Sequence, residues 1–120
     1  AENKQRAMPC SIDSTPTSAN QEDHVSMACH AARRLAEMNR NLAHILAIEL
    51  LISVQGVEFR APIETSERLR RVMQKVRERV PPLGVDRYLA DDIAAVRELV
   101  DGRQIVAALG EEDLLPRLRP

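Results

Sequence analysis

Aromatic residues are nearly absent from this sequence. Its 120 residues include one Phe, one Tyr and no Trp, so a core would have to be built from Leu, Ile, Val, Ala and Met. Strands are typically rich in aromatic and β-branched residues, whereas an aliphatic composition suits the packing of helix on helix. The sequence therefore predicts an all-α fold.

The sequence also has only two cysteines and a small net charge. Cys10 and Cys29 lack the spacing of a zinc site, and we expect two reduced thiols in a cytoplasmic protein rather than a disulfide. The formal net charge is −1, so no nucleic-acid or membrane partner is expected. The N-terminal residues are polar, without the pattern of a signal peptide or an initiator Met, as if the chain were cut from a longer one.

Glycine and proline do not occur between Pro16 and Gly56. Good helix formers dominate this stretch, so the sequence predicts one very long helix, about residues 20–56, of roughly 54 Å. Two overlapping capping patterns place its start near residues 18 to 20. They are Ser18 with Gln21, and Asn20 with Asp23.

The second half of this predicted helix is apolar on all sides. Between Ile45 and Val54 only Glu49 and Ser53 are polar, and a helix of that kind must be buried on all sides. We expect other protein helices to cover it. A membrane span is disfavoured because the run has about ten residues, where a span needs about twenty.

Two or three shorter helices are expected after the long one. Glu67 to Arg79, capped by Thr65 or Ser66, is the first of them; the next runs from a cap at Asp91 or Asp92 to Val100 and is closed by Gly102; the last is Ile105 to Leu109. Residues 1–17 show no helical period and are expected to form a loop, while residues 111–120 are expected to form a tail.

Basic residues and histidines offer little chemistry. The helix that starts at Glu67 is basic and could contact phosphates, but a solvated face with i,i+4 pairs such as Glu67 with Arg71 is favoured, because an apolar stripe already fixes the other side. His24 and His30 are six residues apart, whereas a helical metal pair is four apart. We expect no metal site and interpret the histidines as surface or network residues.

The acidic pair Glu22 and Asp23 is the best candidate for chemistry. With the helix starting near residue 20, both carboxylates would lie in its first turn, where the helix dipole favours anions. From the residues alone, ordinary charge compensation explains them. A resemblance to a known family points to a further role.

The segment Ser11-Ile12-Asp13-Ser14-Thr15-Pro16-Thr17-Ser18-Ala19-Asn20-Gln21-Glu22-Asp23-His24-Val25-Ser26-Met27 resembles the C-terminal part of histidine ammonia-lyases. Leu46-Ala47-Ile48-Glu49-Leu50-Leu51 and Asp86-Arg87-Tyr88-Leu89-Ala90-Asp91-Asp92-Ile93 resemble later segments of the same family, in the same order. The resemblance covers about the whole chain. It implies that residues 1–17 are an active-site loop, 18–110 the C-terminal helical region of a larger helical-bundle lyase, and 111–120 a tail.

The resemblance implies an enzyme that removes ammonia from L-histidine to give trans-urocanate. Such lyases use a 4-methylidene-imidazol-5-one group made from an internal Ala-Ser-Gly tripeptide, and they are homotetramers whose active sites draw on three subunits. Glu22 matches the family's active-site glutamate, which binds substrate or assists proton transfer. Gln21 and Ser18 match neighbouring substrate-binding positions. Related lyases that act on phenylalanine or tyrosine carry Gln in place of Glu22, so the resemblance favours the histidine branch of the family.

One departure from the family is decisive for activity. No Ala-Ser-Gly occurs, because the glycines follow Gln55, Leu83, Asp101 and Leu109, so the electrophilic group cannot form from this chain. We expect a C-terminal fragment that is inactive alone. The alternative is a stand-alone helical association module without catalysis, in which residues 45–54 pack against copies of themselves.

Overall fold

The computed structural model describes residues 1–110, and its regular elements are helices. They are α1 (Glu2–Arg6), α2 (Ala28–Glu58), α3 (Glu67–Arg77), α4 (Ala90–Asp101) and α5 (Gln104–Ala108). The predicted all-α class, with one long helix followed by shorter ones, is confirmed. The expected tail, residues 111–120, lies outside the described residues.

The predicted start of the long helix is wrong. α2 begins at Ala28, because residues 18 to 20 form a tight turn instead: Ser18, Ala19 and Asn20 have φ angles of 53°, 52° and 68°. A right-handed helix cannot include three such residues. Ser and Asn side chains favour turns as well as helix caps, so the capping patterns were equally compatible with the turn that forms. The long helix ends at Glu58, two residues beyond Gly56, since one glycine inside a helix costs only about 1 kcal/mol.

The chain divides into two compact units, Ala1–Leu42 and a second that begins at Ala43. In the first unit, α1 occupies part of the region that was expected to be a loop. Its Asn3 donates a hydrogen bond to the Met38 carbonyl at 3.1 Å and accepts one from Asn41 at 3.0 Å. Arg6 pairs with both Glu2 and Glu37. These polar contacts tie the short helix α1 to residues of α2.

The second unit has an aliphatic core. Its buried members include Ala47, Val54, Val76, Val80 and Val96, with side chains such as Leu50, Met73 and Ile93 packed against them. Both aromatic residues lie outside that core: Phe59 is 75% exposed and Tyr88 is 81% exposed. A core of this kind was expected from the composition.

The ends of the shorter helices follow the sequence only in part. Ser66, one of the two predicted caps, accepts a hydrogen bond from the Leu69 N–H at 3.4 Å. The caps predicted at Asp91 or Asp92 are wrong, because α4 begins at Ala90, before both aspartates, with Leu89 at the cap position. Both aspartates lie in the first turn of α4, where they still complement the helix dipole.

Gly102 ends α4, as predicted, but without the left-handed conformation that makes glycine common at this position. Its φ is −80°, and the left-handed residue is the following Arg103, at φ 57°. α3 ends at Arg77, two residues before its predicted end, and α5 lies at Gln104–Ala108 rather than 105–109. The expected division of the chain after residues 17 and 110 stays a prediction.

Apolar side chains of α2 stay exposed within the second unit. Ile45, Ile48 and Ile52 are 53%, 41% and 67% exposed, although Ala47 and Val54 on the same helix are buried, so the described helices supply only part of the burial that was expected for residues 45–54. By length and composition alone, α2 could also cross a membrane. Core helices of soluble proteins share that property.

Candidate active site

The predicted site residues lie together in one turn, from Thr17 to Glu22. The two end residues pair through their backbones: the Thr17 N–H donates to the Glu22 carbonyl at 3.1 Å, and the Glu22 N–H donates to the Thr17 carbonyl at 3.4 Å. Inside the turn, the Gln21 N–H donates to the Ser18 carbonyl at 3.1 Å. Ser18, Gln21 and Glu22 are thus within one closed loop of six residues.

This turn has an unusual backbone. Three consecutive residues that are not glycine, Ser18 to Asn20, adopt positive φ angles. Each such residue costs roughly 1–2 kcal/mol unless a polar side chain or the surroundings compensate. Asn tolerates this conformation well, but Ala19 does not. Strained backbone of this kind concentrates at active sites and ligand contacts, which makes the turn a candidate site on physical grounds.

The carboxylate of Glu22 is held by a neutral partner. The Thr17 hydroxyl, Oγ1, donates a hydrogen bond to Glu22 Oε2 at 3.0 Å. The ion pairs that the structure shows within residues 1–110 do not include Glu22. Glu22 is exposed, so its second oxygen is open to a partner from outside the turn.

The expected position of Glu22 at a helix N-terminus is wrong. α2 begins six residues later, at Ala28, and a helix dipole acts mainly within the first turn of the helix. The electrostatic argument that the helix end keeps this carboxylate charged therefore fails. Its local support comes instead from the hydroxyl of Thr17.

The residues after the turn extend the same pairing. The Val25 N–H donates to the Thr15 carbonyl at 3.0 Å, and the Thr15 N–H lies 3.4 Å from His24 Nδ1, which accepts its hydrogen bond. His24 therefore contributes to the local network around the turn, in keeping with its interpretation as a network histidine.

Thr17 is the residue that sequence reasoning missed. It falls in the predicted loop of residues 1–17, and a threonine five residues before a glutamate has no special spacing in a helix or a strand. Only the register of the turn, which pairs residue 17 with residue 22, brings the hydroxyl to the carboxylate. A Thr before a Ser-Ala-Asn turn motif could have suggested a hairpin, but not this contact.

The turn does not form a closed pocket by itself. Ser18, Ala19, Asn20, Gln21 and Glu22 are all exposed. Within residues 1–110, no three His, Cys, Asp or Glu side chains are grouped so as to hold a metal ion. Cys10 and Cys29 are free thiols, and Cys10 Sγ lies 3.7 Å from Met27 Sδ. A ligand held at Glu22 would need further walls from outside this turn.

Comparisons with known proteins agree on one family. A family model described as aromatic amino acid lyase matches residues 1–78. Histidine ammonia-lyase of Bradyrhizobium diazoefficiens is 60% identical, over 98% of this chain and 23% of that protein. Histidine ammonia-lyase of Bartonella quintana is 54% identical, over 100% of this chain and 23% of that protein.

A solved structure gives the same result. The crystal structure of histidine ammonia-lyase from Trypanosoma cruzi superposes with a TM-score of 0.75 at 38% identity, covering 91% of this chain and 22% of that one. The chain thus spans about a quarter of the length of the relatives that it matches. Since the family model covers well over half of its residues, the chain belongs to the aromatic amino acid lyase family.

Proposed function

We propose that these residues are the C-terminal portion of a histidine ammonia-lyase. The complete enzyme would eliminate ammonia from L-histidine to give trans-urocanate in the cytoplasm. The observation that carries the proposal is the 60% identity with a histidine ammonia-lyase over 98% of the chain. The carboxylate at Glu22, where lyases acting on phenylalanine or tyrosine resemble this region but carry Gln, supports histidine as the substrate.

The elimination makes two chemical demands. A weakly acidic β-proton must leave carbon, and the amine must depart, so the site needs an electron sink and well-placed polar groups. In this family a 4-methylidene-imidazol-5-one group supplies the sink. The residues present do not fit its formation, because the sequence contains no Ala-Ser-Gly. The group would have to come from another part of the complete enzyme.

We assign substrate binding to Glu22. One of its oxygens is held by Thr17, while the other can accept a hydrogen bond from the amino group or the imidazole of histidine. An ionised carboxylate forms stronger hydrogen bonds than a neutral acceptor, especially with a charged donor. Gln21 and Ser18, in the same turn, would line the same pocket and offer an amide and a hydroxyl to the substrate.

The alternative, a helical association module, has its own support. Ile45, Ile48 and Ile52 of α2 are exposed in this chain, and neighbouring apolar side chains of that kind are typical of surfaces that another protein covers. The exposed side chains are compatible with both proposals, because the rest of a homotetrameric lyase would also cover them. The intact mass of the expressed gene product separates the two proposals. A product several times heavier than 13.4 kDa supports the lyase, and one of 13.4 kDa supports the module.

Replacement of Glu22 in the complete enzyme tests the proposed site. Glu22→Gln keeps the shape and removes the charge, and we expect turnover of L-histidine, followed by urocanate absorbance, to fall about 10²-fold or more. Glu64→Gln is the matched control, because Glu64 is exposed and pairs with Arg70 on the surface. It should leave turnover unchanged.

Two outcomes of this experiment are decisive. Turnover of Glu22→Gln close to that of the unmodified enzyme would refute the role of Glu22 in the site. The isolated 120-residue chain serves as the negative control of the assay and is expected to form no urocanate. Urocanate from that chain would refute the requirement for the missing electrophile.

A further inference from the structure

We propose that Thr17 is a positioning residue, whose hydroxyl orients the carboxylate of Glu22 toward the substrate. The inference rests on the proposed function of Glu22 and extends it to a residue outside the predicted site. Two observations carry it: the hydrogen bond from Thr17 Oγ1 to Glu22 Oε2 at 3.0 Å, and the backbone pairing of the same two residues.

The geometry fixes both ends of this contact. The two backbone hydrogen bonds, at 3.1 and 3.4 Å, hold the Cα atoms of Thr17 and Glu22 opposite each other. Threonine is β-branched and therefore has few side-chain rotamers, and Thr17 is half-buried, whereas Glu22 is exposed. A stiff, half-buried donor thus anchors a long and otherwise free side chain. Without the hydrogen bond from Thr17, the Glu22 side chain would lose considerable rotamer entropy on binding a substrate.

A hydroxyl is a suitable anchor for a carboxylate that must bind a cationic or strongly polar substrate. It donates one hydrogen bond and adds no positive charge, so the negative charge of Glu22 stays available to the ammonium or imidazole group of histidine. Other glutamates in this chain are held by arginine, such as Glu2 by Arg6 and Glu58 by Arg77. An arginine at position 17 would compete with the substrate for the same oxygens.

The test uses three variants of the complete enzyme. Thr17→Val keeps the β-branched shape and removes the hydroxyl, Thr17→Ser keeps the hydroxyl, and Thr65→Val makes the same replacement in the loop before α3, where Ser66 provides the cap. kcat and KM for L-histidine are measured for each. Because a hydrogen bond to a charged group is lost, we expect Thr17→Val to lower kcat/KM about tenfold or more. The kcat/KM of Thr17→Ser should stay within about threefold of that of the unmodified enzyme, and the kcat/KM of Thr65→Val should equal it.

A second measurement separates positioning from a general structural role. If Thr17 acts through the carboxylate, Thr17→Val should have no further effect on kcat/KM in enzyme that already carries Glu22→Gln. The melting temperature should be unchanged in the single variant, because valine preserves both backbone hydrogen bonds. An equal loss in Thr17→Val and Thr17→Ser would overturn the inference. The inference would also be overturned if Thr17→Val lowered kcat/KM as much in the Glu22→Gln enzyme as in the unmodified enzyme.

Failure of this inference can be distinguished from failure of the proposed function. If Glu22→Gln abolishes turnover while Thr17→Val turns over histidine normally, Glu22 keeps its role and Thr17 has none. If Glu22→Gln itself turns over histidine normally, the proposed role of Glu22 fails, and the positioning role of Thr17 fails with it.

Discussion

The side chains of Glu58 and Arg77 form an ion pair with two hydrogen bonds in the second unit. Arg77 Nε and Nη2 donate to the two oxygens of Glu58 at 2.7 and 2.6 Å, and both side chains are largely shielded, with 28% and 17% exposed. Arg77 also donates to the Gln55 side chain at 3.3 Å and to the Val80 carbonyl at 3.2 Å. This network joins the end of α2 to the end of α3.

At the residue scale, the Glu58–Arg77 pair predicts a pH-dependent stability. Hydrogen bonds from Arg77 hold the pKa of Glu58 below the ordinary 4.5. Burial opposes this shift, and the positive charge of Arg77 adds to it. A carboxyl with a lowered folded-state pKa contributes stability above its unfolded-state pKa, and that stability is lost as pH falls through the folded-state value. We therefore expect the Glu58–Arg77 pair to make its full contribution to the free energy of unfolding well above pH 4.5 and to lose it below that value.

The measurement is urea unfolding of the 120-residue chain, followed by circular dichroism. Glu58→Gln should lower the free energy of unfolding by about 1 kcal/mol at pH 7 and by less at pH 3. Glu64→Gln is a control, because the Glu64–Arg70 pair is exposed and such pairs contribute little. An equal effect of the two variants at pH 7 would contradict the prediction.

At the scale of single elements, the start of α3 shows how a cap is chosen between neighbours. Thr65 and Ser66 are both residue types that cap helices, and the sequence alone left the choice open. The structure places Ser66 at the cap position with φ −60° and ψ 154°, where its side chain accepts from the Leu69 N–H. Glu67 follows in the first turn and adds a favourable charge near the positive end of the dipole.

The cap predicts a difference between two adjacent alanine variants. Ser66→Ala should lower the free energy of unfolding by about 1 kcal/mol, because the N–H of Leu69 loses its partner. Thr65→Ala should have a smaller effect. Chemical denaturation of the two variants in parallel checks this order, and a larger loss for Thr65→Ala would assign the cap to Thr65 instead.

The turn from Thr17 to Glu22 is an element that local patterns described incorrectly. Ser18 with Gln21 is a good capping box on paper, yet the chain forms backbone pairing between Thr17 and Glu22. Local propensities for helix start and for turn are close in energy for Ser, Asn and Asp. The choice depends on contacts between residues on the two sides of the turn, such as the hydrogen bond from the Val25 N–H to the Thr15 carbonyl, which the four-residue capping patterns do not contain.

At the scale of the whole molecule, exposed apolar side chains of α2 dominate the expected behaviour of the isolated chain. Ile45, Ile48 and Ile52 lie on one helix within eight residues, and each is at least 41% exposed. Monomeric soluble proteins rarely expose large apolar patches. We expect these side chains to be covered by the rest of the lyase, and by copies of the chain when the rest is absent.

This surface predicts self-association of the purified 120-residue chain. Ile52→Glu should shift the chain toward a monomer, because a charge at a buried contact is costly unless it is paired. Ile63→Glu is the matched control, since Ile63 is 73% exposed but follows the end of α2. Size-exclusion chromatography with light scattering gives the masses. A monomeric unmodified chain, or equal effects of both variants, would contradict the prediction.

The sequence by itself determined the helical class, the existence of a long helix, the approximate positions of the shorter helices and the family. These follow from composition, from the absence of glycine and proline over a long stretch, and from long specific segments. Each of these signals is local or can be read directly along the chain. The carboxylate at Glu22 and its neighbours Gln21 and Ser18 came from the resemblance to the family.

Only the tertiary structure decided where the long helix begins and what holds Glu22. The helix begins at Ala28 rather than at residues 18–20, because hydrogen bonds between residues 15–17 and 22–25 stabilise a turn that competes with the helix. The same pairing brings Thr17 to Glu22. Such contacts depend on which residues meet across the turn, and local propensities of similar strength for helix and turn cannot determine that register.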